Sequence, residues 1–314
     1  MTTLSGSAPS RRIKAGSATL NRFPLHTQLA FHAVLGLFAL LCILPFIFVV
    51  IISFTSEDSI RQIGYSFRPL GWSTQAYTYT FQLGDALWRS YLNSFLITIV
   101  GTVLSVALTL LYAYPLFRKD FRWRGFFNFL SFFTMIFGGG LVPTFVICKS
   151  VLGLSDNYAA LIVPMLFSPF NVIIMRTFFQ TTVPDAIIES AKIDGARMIR
   201  IFVQIVLPIS LPAIATIGLF LTFAYWNDWM MAKYYISGNK HNLFPLQYVL
   251  IALEENISFL TRNSQNMTAG TASNVPSETV RMAMVVISVV PIACSYPFFQ
   301  KYFVSGLTIG AVKG

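Results

Sequence analysis

The chain has 314 residues, of which 55% are hydrophobic and only 11% charged, and it carries 30 Phe and 5 Trp. A soluble protein carries about 25% charged residues, so the composition excludes a soluble globular class and indicates a membrane protein. The net charge of +10 follows from the sidedness described below and from lipid headgroups, and needs no nucleic-acid partner.

Residues 1–23 are rich in Ser, Thr, Gly and Arg and are expected to form a basic, poorly ordered tail. The basic region and the apolar run after it are too long for a cleavable signal, and no small-residue cleavage site is seen. The first apolar run is therefore expected to stay as an anchor, with Pro45 as a kink. Six windows are apolar over the roughly 20 residues that cross a bilayer: 29–54, 91–117, 125–147, 158–178, 211–231 and 280–303.

Between the first two lies an external segment, 55–90, with Tyr65, Trp72, Tyr77, Tyr79 and Trp88. These aromatics fit an interface belt or a docking surface. The third window holds Gly138, Gly139, Gly140 and Pro143. At 1.5 Å per residue from Gly125, the glycines fall about 20 Å up, in the outer half of the membrane. The fourth window holds Pro164 and Pro169, and the fifth ends in Tyr225-Trp226-Asn227-Asp228-Trp229. Breaks at membrane depth are tolerated where the backbone faces protein or a wet cavity, and small residues also mark close helix packing. Both readings of Gly139 and Gly140 stay open. Residues 232–279 form a second external segment, with sequon-like triplets at Asn256 and Asn266. The last window carries Pro291 and Pro297, and residues 304–314 follow it.

Six crossings put both termini on one side. That side holds Arg11, Arg12, Lys14 and Arg22, then Arg118, Lys119, Arg122 and Arg124, then Arg176, Lys192, Arg197 and Arg200, and finally Lys301 and Lys313. The positive-inside rule makes it the cytoplasmic one.

The fourth-to-fifth connection is the most polar ordered-looking stretch of the second half. Pro184 suits a first helical turn, and Asp185 and Glu189 lie where the helix dipole favours negative charge. Ile187, Ile188 and Ala191 give one apolar edge. Gly195 stands where a C-cap needs positive φ. A second helix from Ala196 is expected to end at Leu207-Pro208. Taken alone, this pattern also fits a solvated connector.

The spacing Glu189-Ser190-Ala191, Gly195, then Ile205-Val206-Leu207-Pro208 resembles the EAA loop of ABC-importer permeases, with Ser190 where alanine is more usual. The ending Gly310-Ala311-Val312-Lys313-Gly314, the Trp226-Asn227-Asp228 run and Gly139-Gly140-Leu141-Val142-Pro143 resemble the carbohydrate branch of that family. The 232–279 segment and the Tyr296-Pro297-Phe298 run are most similar to the subgroup serving oligo- and polysaccharides, uronate-rich ones such as alginate among them.

The resemblance implies an all-α polytopic fold: six transmembrane helices and a cytoplasmic coupling helix in a permease domain over 24–314. The coupling loop would span 179–210, with Glu189, Ser190, Ala191, Asp194, Gly195, Leu207 and Pro208 facing or shaping the ATPase contact. A cytoplasmic tail over 304–314 would bring Gly310, Lys313 and Gly314 to the ATPases. It implies as partners a second homologous permease subunit, two ATP-binding cassette subunits that bind ATP and Mg, an extracytoplasmic solute-binding protein, a carbohydrate and the bilayer of a bacterial inner membrane.

For the substrate path, Tyr225 and Trp226 offer rings and Asn227 an amide, at about the height of Gly139 and Gly140. Trp226 and Trp229 fit an interface anchor as well.

No phosphate loop G-x-x-x-x-G-K-[ST] occurs, so the chain is not expected to bind ATP by that route. Cys42, Cys148 and Cys294 lack metal spacing and read as small buried hydrophobes. No catalytic constellation stands out, so the chain is expected not to be an enzyme. A stand-alone secondary transporter or channel is the alternative, but it would need ionisable groups at mid-membrane that the windows lack.

Overall fold

The computed structural model describes residues 24–82, 84–263 and 277–311. The expected 1–23 tail, the Asn266 triplet, Lys313 and Gly314 lie outside them. The chain divides into two units, residues 1–48 and 49–314. Among the described residues every element is helical, apart from a single bridge between Thr55 and Trp72.

The first unit contains the start of the Leu25–Ser53 helix, 29 residues without one charged side chain. A helix of this length extends about 44 Å, and after His26, Gln28 and His32 near its start the run from Ala33 to Ile52 is apolar throughout. Pro45 lies inside it.

In the second unit two further helices are long and apolar enough to cross a membrane, within Asp85–Phe117 and Ser277–Ala311. Three bent pairs pass the same test: Arg124–Ile136 with Leu141–Val151 at 115°, Tyr158–Met165 with Pro169–Thr182 at 52°, and Met198–Ile209 with Leu211–Asn227 at 78°. Counting each pair as one crossing gives six in all, in the order the windows predict. The breaks fall where the backbone ladder fails. Gly138–Gly140 interrupts the first pair, with Gly140 at φ 83°. Ser168 caps the helix opened by Pro169 in the second. Ser210 precedes Pro212 in the third.

Several helices begin or end a few residues away from the windows, and two of the differences bear on the expected site residues. The fifth helix ends at Asn227 rather than 231, because Asp228 turns extended and a separate helix runs Met230–Tyr235. The last helix continues past 303 to Ala311, so residues 304–311 of the expected tail, Gly310 included, are helical.

The Asp85–Phe117 helix is the centre of the second unit. It packs on Leu211–Asn227, Pro169–Thr182 and Leu246–Asn263. Its buried face is rich in small and hydroxylic residues, among them Ser90, Ser94, Gly101, Ser105, Thr109 and Ala113, which let backbones approach closely. A Cβ on Gly101 would stand 2.7 Å from the Tyr225 ring, so this position admits no side chain while Tyr225 stays where it is. Among the described residues, Thr98 Oγ1 and the Tyr114 hydroxyl on this helix are buried without a hydrogen-bond partner, whereas Asn93 and Ser94 are bonded. Asn93 donates to the carbonyls of Asn242 and Phe244 at 2.8 and 3.1 Å and accepts from the Tyr158 hydroxyl at 2.8 Å. The Leu246 N–H donates to Ser94 Oγ at 2.8 Å. In a low-dielectric interior each such group would be costly if left alone, so these bonds fix where the 242–246 segment meets the central helix.

Candidate functional site

The 184–210 connection is a helix, a corner and a second helix. Pro184 stands just before the first turn, with φ −66° and ψ 135°, and the helix runs Asp185–Ile193. Asp185 in its first turn and Lys192 in its last both complement the helix dipole. At the corner, the Ala196 N–H donates to the Ala191 carbonyl at 2.9 Å and the Gly195 N–H to the Lys192 carbonyl at 3.0 Å. Gly195 adopts φ 76°. This bonding pair with a left-handed residue is a Schellman cap, which glycine forms without the strain a Cβ would add.

The second helix begins at Met198. It passes through a π turn, Phe202–Val206, in which the Leu207 N–H reaches back to Phe202, and continues over Leu207–Ile209. It thus runs past Pro208, one residue beyond the expected end at Leu207-Pro208. The wider π turn comes just before the proline, which has no N–H to continue an i→i−4 ladder.

One face of this connection is held by the core and the other is open. Ile188, Ala191, Ile201 and Val206 are buried. Glu189, Ser190, Asp194, Gly195 and Pro208 are exposed, and Leu207 is half-buried. Among the described residues neither Glu189 nor Asp194 makes an ion pair. Beside them, Ile193 and Ile199 are 86% and 77% exposed, and Ile187 and Met198 are also open. The expected apolar edge is therefore split. Ile188 and Ala191 point inwards, and Ile187 joins an outward surface of isoleucine, methionine and carboxylate. The sequence reading did not single out Ile193, Met198 or Ile199. The available signal was apolar side chains lying off the buried face of an otherwise polar connector.

The corner Arg118-Lys119-Asp120 at the end of the central helix holds this element. Arg118 is only 6% exposed and forks onto Asp120, Nε to Oδ1 at 3.1 Å and Nη2 to Oδ2 at 2.6 Å. Lys192 donates to the same Oδ2 at 3.1 Å, and Lys119 donates to Asp185 at 2.5 Å. The Arg118 guanidinium, with help from Lys192, holds the Asp120 carboxyl well below the usual carboxylate range. Phe117, Ile188 and Glu189 join these side chains around a small cavity of about 120 Å³.

The expected path residues divide. Tyr225 is buried, and its hydroxyl is shared between Ser105 Oγ at 2.9 Å and the Ile162 carbonyl at 3.1 Å. Trp226 is 3% exposed, donates Nε1–H to the Ser288 carbonyl at 3.0 Å and meets Phe95 edge-on. Both serve as packing between helices, and an interface anchor would not bury Trp226 so deeply. Asn227 is exposed; its amide donates to Phe223 O at 2.9 Å and its oxygen accepts from Gln247 at 3.5 Å. Gly139 and Gly140 are exposed too; a Cβ on Gly140 would meet nothing within 4 Å, and one on Gly139 only Pro143, four residues on, at 3.9 Å, so close packing against a distant helix does not account for them.

Among the described residues no group of three His, Cys, Asp or Glu side chains could hold a metal ion. Cys148 is buried as expected, whereas Cys42 and Cys294 are exposed on the chain.

Residues 98–309 match the family described as binding-protein-dependent transport system inner membrane component, and the chain belongs to that family. Within it, the chain is a permease subunit of a carbohydrate ABC importer. It is 41% identical over 283 residues to the polygalacturonan/rhamnogalacturonan transport system permease protein YtcP of Bacillus subtilis strain 168, covering 90% of this chain and 96% of that one. It is 29% identical to the trehalose/maltose transport system permease protein MalG of Thermococcus litoralis, over 88% of this chain and 94% of the relative. Among solved structures, a chain in the crystal structure of a bacterial ABC transporter involved in the import of the acidic polysaccharide alginate matches with a TM-score of 0.74 and 30% identity. The match covers 90% of this chain and 99% of that one.

Proposed function

We propose that the subunit moves an acidic, uronate-containing oligo- or polysaccharide inwards across a bacterial cytoplasmic membrane, with alginate as the first candidate. The observation that carries this reading is agreement between two similar proteins. One is named for polygalacturonan and rhamnogalacturonan and the other for alginate, all uronate-bearing polymers. Its partners are a second homologous permease subunit, two ATP-binding cassette subunits that hold ATP and Mg, and an extracytoplasmic solute-binding protein. The chain itself binds no cofactor. Both termini lie in the cytoplasm.

In this reading the open face of 185–199 docks on an ATPase subunit. Supporting it are unpaired Glu189 and Asp194 beside exposed Ile193 and Ile199 on a capped, rigid corner. Apolar side chains rimmed by charge suit a protein partner. Gly310, Lys313 and Gly314 reach the same partner. Gly139, Gly140 and Asn227 are the groups offered to the sugar, and Tyr225 and Trp226 anchor the end of the helix that carries Asn227.

A panel of oligosaccharides tests the substrate class. With the assembled complex and its binding protein in proteoliposomes, oligouronates should raise ATP turnover several-fold, and neutral oligosaccharides of the same length should not. Stimulation by neutral sugars alone would refute the acidic assignment. No stimulation by any saccharide would count against the importer reading.

A further inference from the structure

We propose that Asp120 is a positioning residue that locks the Asp185–Ile193 helix to the end of the central helix, so that movement of one is delivered to the other. The inference rests on the docking reading above. The sequence placed Arg118 and Lys119 among the cytoplasmic basic residues and gave Asp120 no role.

The geometry is that of a two-point mount. Lys119 takes Asp185 at the start of the short helix, and Asp120 takes Lys192 in its last turn. The two points are seven residues apart, about 10 Å along the axis. A single contact would leave the helix free to pivot, whereas two set its direction. Asp120 itself is held in advance, because a buried Arg118 grips both of its oxygens in the bidentate arrangement that fixes orientation as well as distance. Arg118 follows directly on Phe117, the last residue of the Asp85–Phe117 helix. That helix carries the Asn93 and Ser94 contacts to the 242–246 segment at its other end. One rigid element thus runs from the outer segment to the mount. Exposed ion pairs add little stability, so the expected consequence of the mount is direction rather than folding.

The test uses the complete importer with its ATPases and binding protein. Lys192→Met removes one of the two ion pairs between the elements, on an exposed side chain, and leaves the Arg118–Asp120 pair in place, while Asp120→Asn removes the anion shared by Arg118 and Lys192. In each variant the ratio of substrate-stimulated to basal ATP turnover should fall several-fold, and amide exchange over 186–193 should quicken. Lys192→Arg should restore both. The double variant should be no worse than Asp120→Asn alone, because both substitutions cut one interaction. Wild-type coupling in Lys192→Met, or losses that simply add, would overturn the proposal. Should Asp120→Asn fail to reach the membrane, Lys192→Met decides. Gly195→Val separates the two readings. If it uncouples while Lys192→Met does not, only the mount fails; if it too couples normally, the docking reading fails.

Discussion

Gly195→Val is expected to leave the subunit in the membrane and to uncouple or release its ATPase. The position is open, since a Cβ there would meet nothing within 4 Å, so crowding is not the cause. The cause is the backbone: φ is 76°, and a branched side chain in the left-handed region costs about 1–2 kcal/mol. The chain relieves that strain by giving up the corner, which means losing the Ala196-to-Ala191 bond and re-aiming Glu189, Ile193 and Asp194. Asparagine tolerates this conformation better than other non-glycine residues, so Gly195→Asn should retain much of the coupling. Co-purification of the ATPase and its turnover in the two variants check the expectation. Equal coupling in valine and asparagine variants would mean that the corner does not matter.

Trp226→Ala is expected to have the largest effect on stability. It empties a site 3% exposed and removes the indole hydrogen bond to the Ser288 carbonyl. Loss of a buried tryptophan costs about 3–5 kcal/mol, enough to lower the melting temperature and the amount of protein in the membrane. Asn227→Ala, one residue on, should behave differently. Its side chain is exposed and its amide bonds a carbonyl of its own helix, so stability should change by no more than about 0.5 kcal/mol. If Asn227 lies on the sugar path, the half-saturating substrate concentration for transport should rise. Thermal unfolding in detergent and transport kinetics separate the two outcomes. A Trp226→Ala protein of normal stability with altered kinetics would return Trp226 to the path.

Local patterns announced what depends on local chemistry. A run such as Leu25–Ser53 has only one stable place, and Gly195 after Ile193-Asp194 has few uses other than a helix end. Each predicted window therefore coincides, its ends apart, with an apolar helix or bent helix pair, and the corner stands at Gly195. Direction was not legible. Three glycines at 138–140 announce a break but not a bend of 115°, because the angle is set by what each half packs against. The burial of Tyr225 and Trp226 was hidden for a related reason. An aromatic pair at a helix end looks the same facing lipid, sugar or another helix, and the deciding neighbours, Gly101, Ser105 and Ser288, lie far off in sequence. The Arg118–Asp120–Lys192 link joins residues 72 positions apart, and charge count alone could only assign those lysines and arginines to a side.

The most direct test of the coupling surface is the reactivity of a cysteine at position 190. With Cys42, Cys148 and Cys294 replaced, Ser190→Cys would be treated with a membrane-impermeant maleimide in inside-out vesicles. The permease pair alone should label rapidly, because Ser190 is exposed, and assembly with the ATPase subunits should protect it. Equal labelling with and without the ATPases would contradict the account.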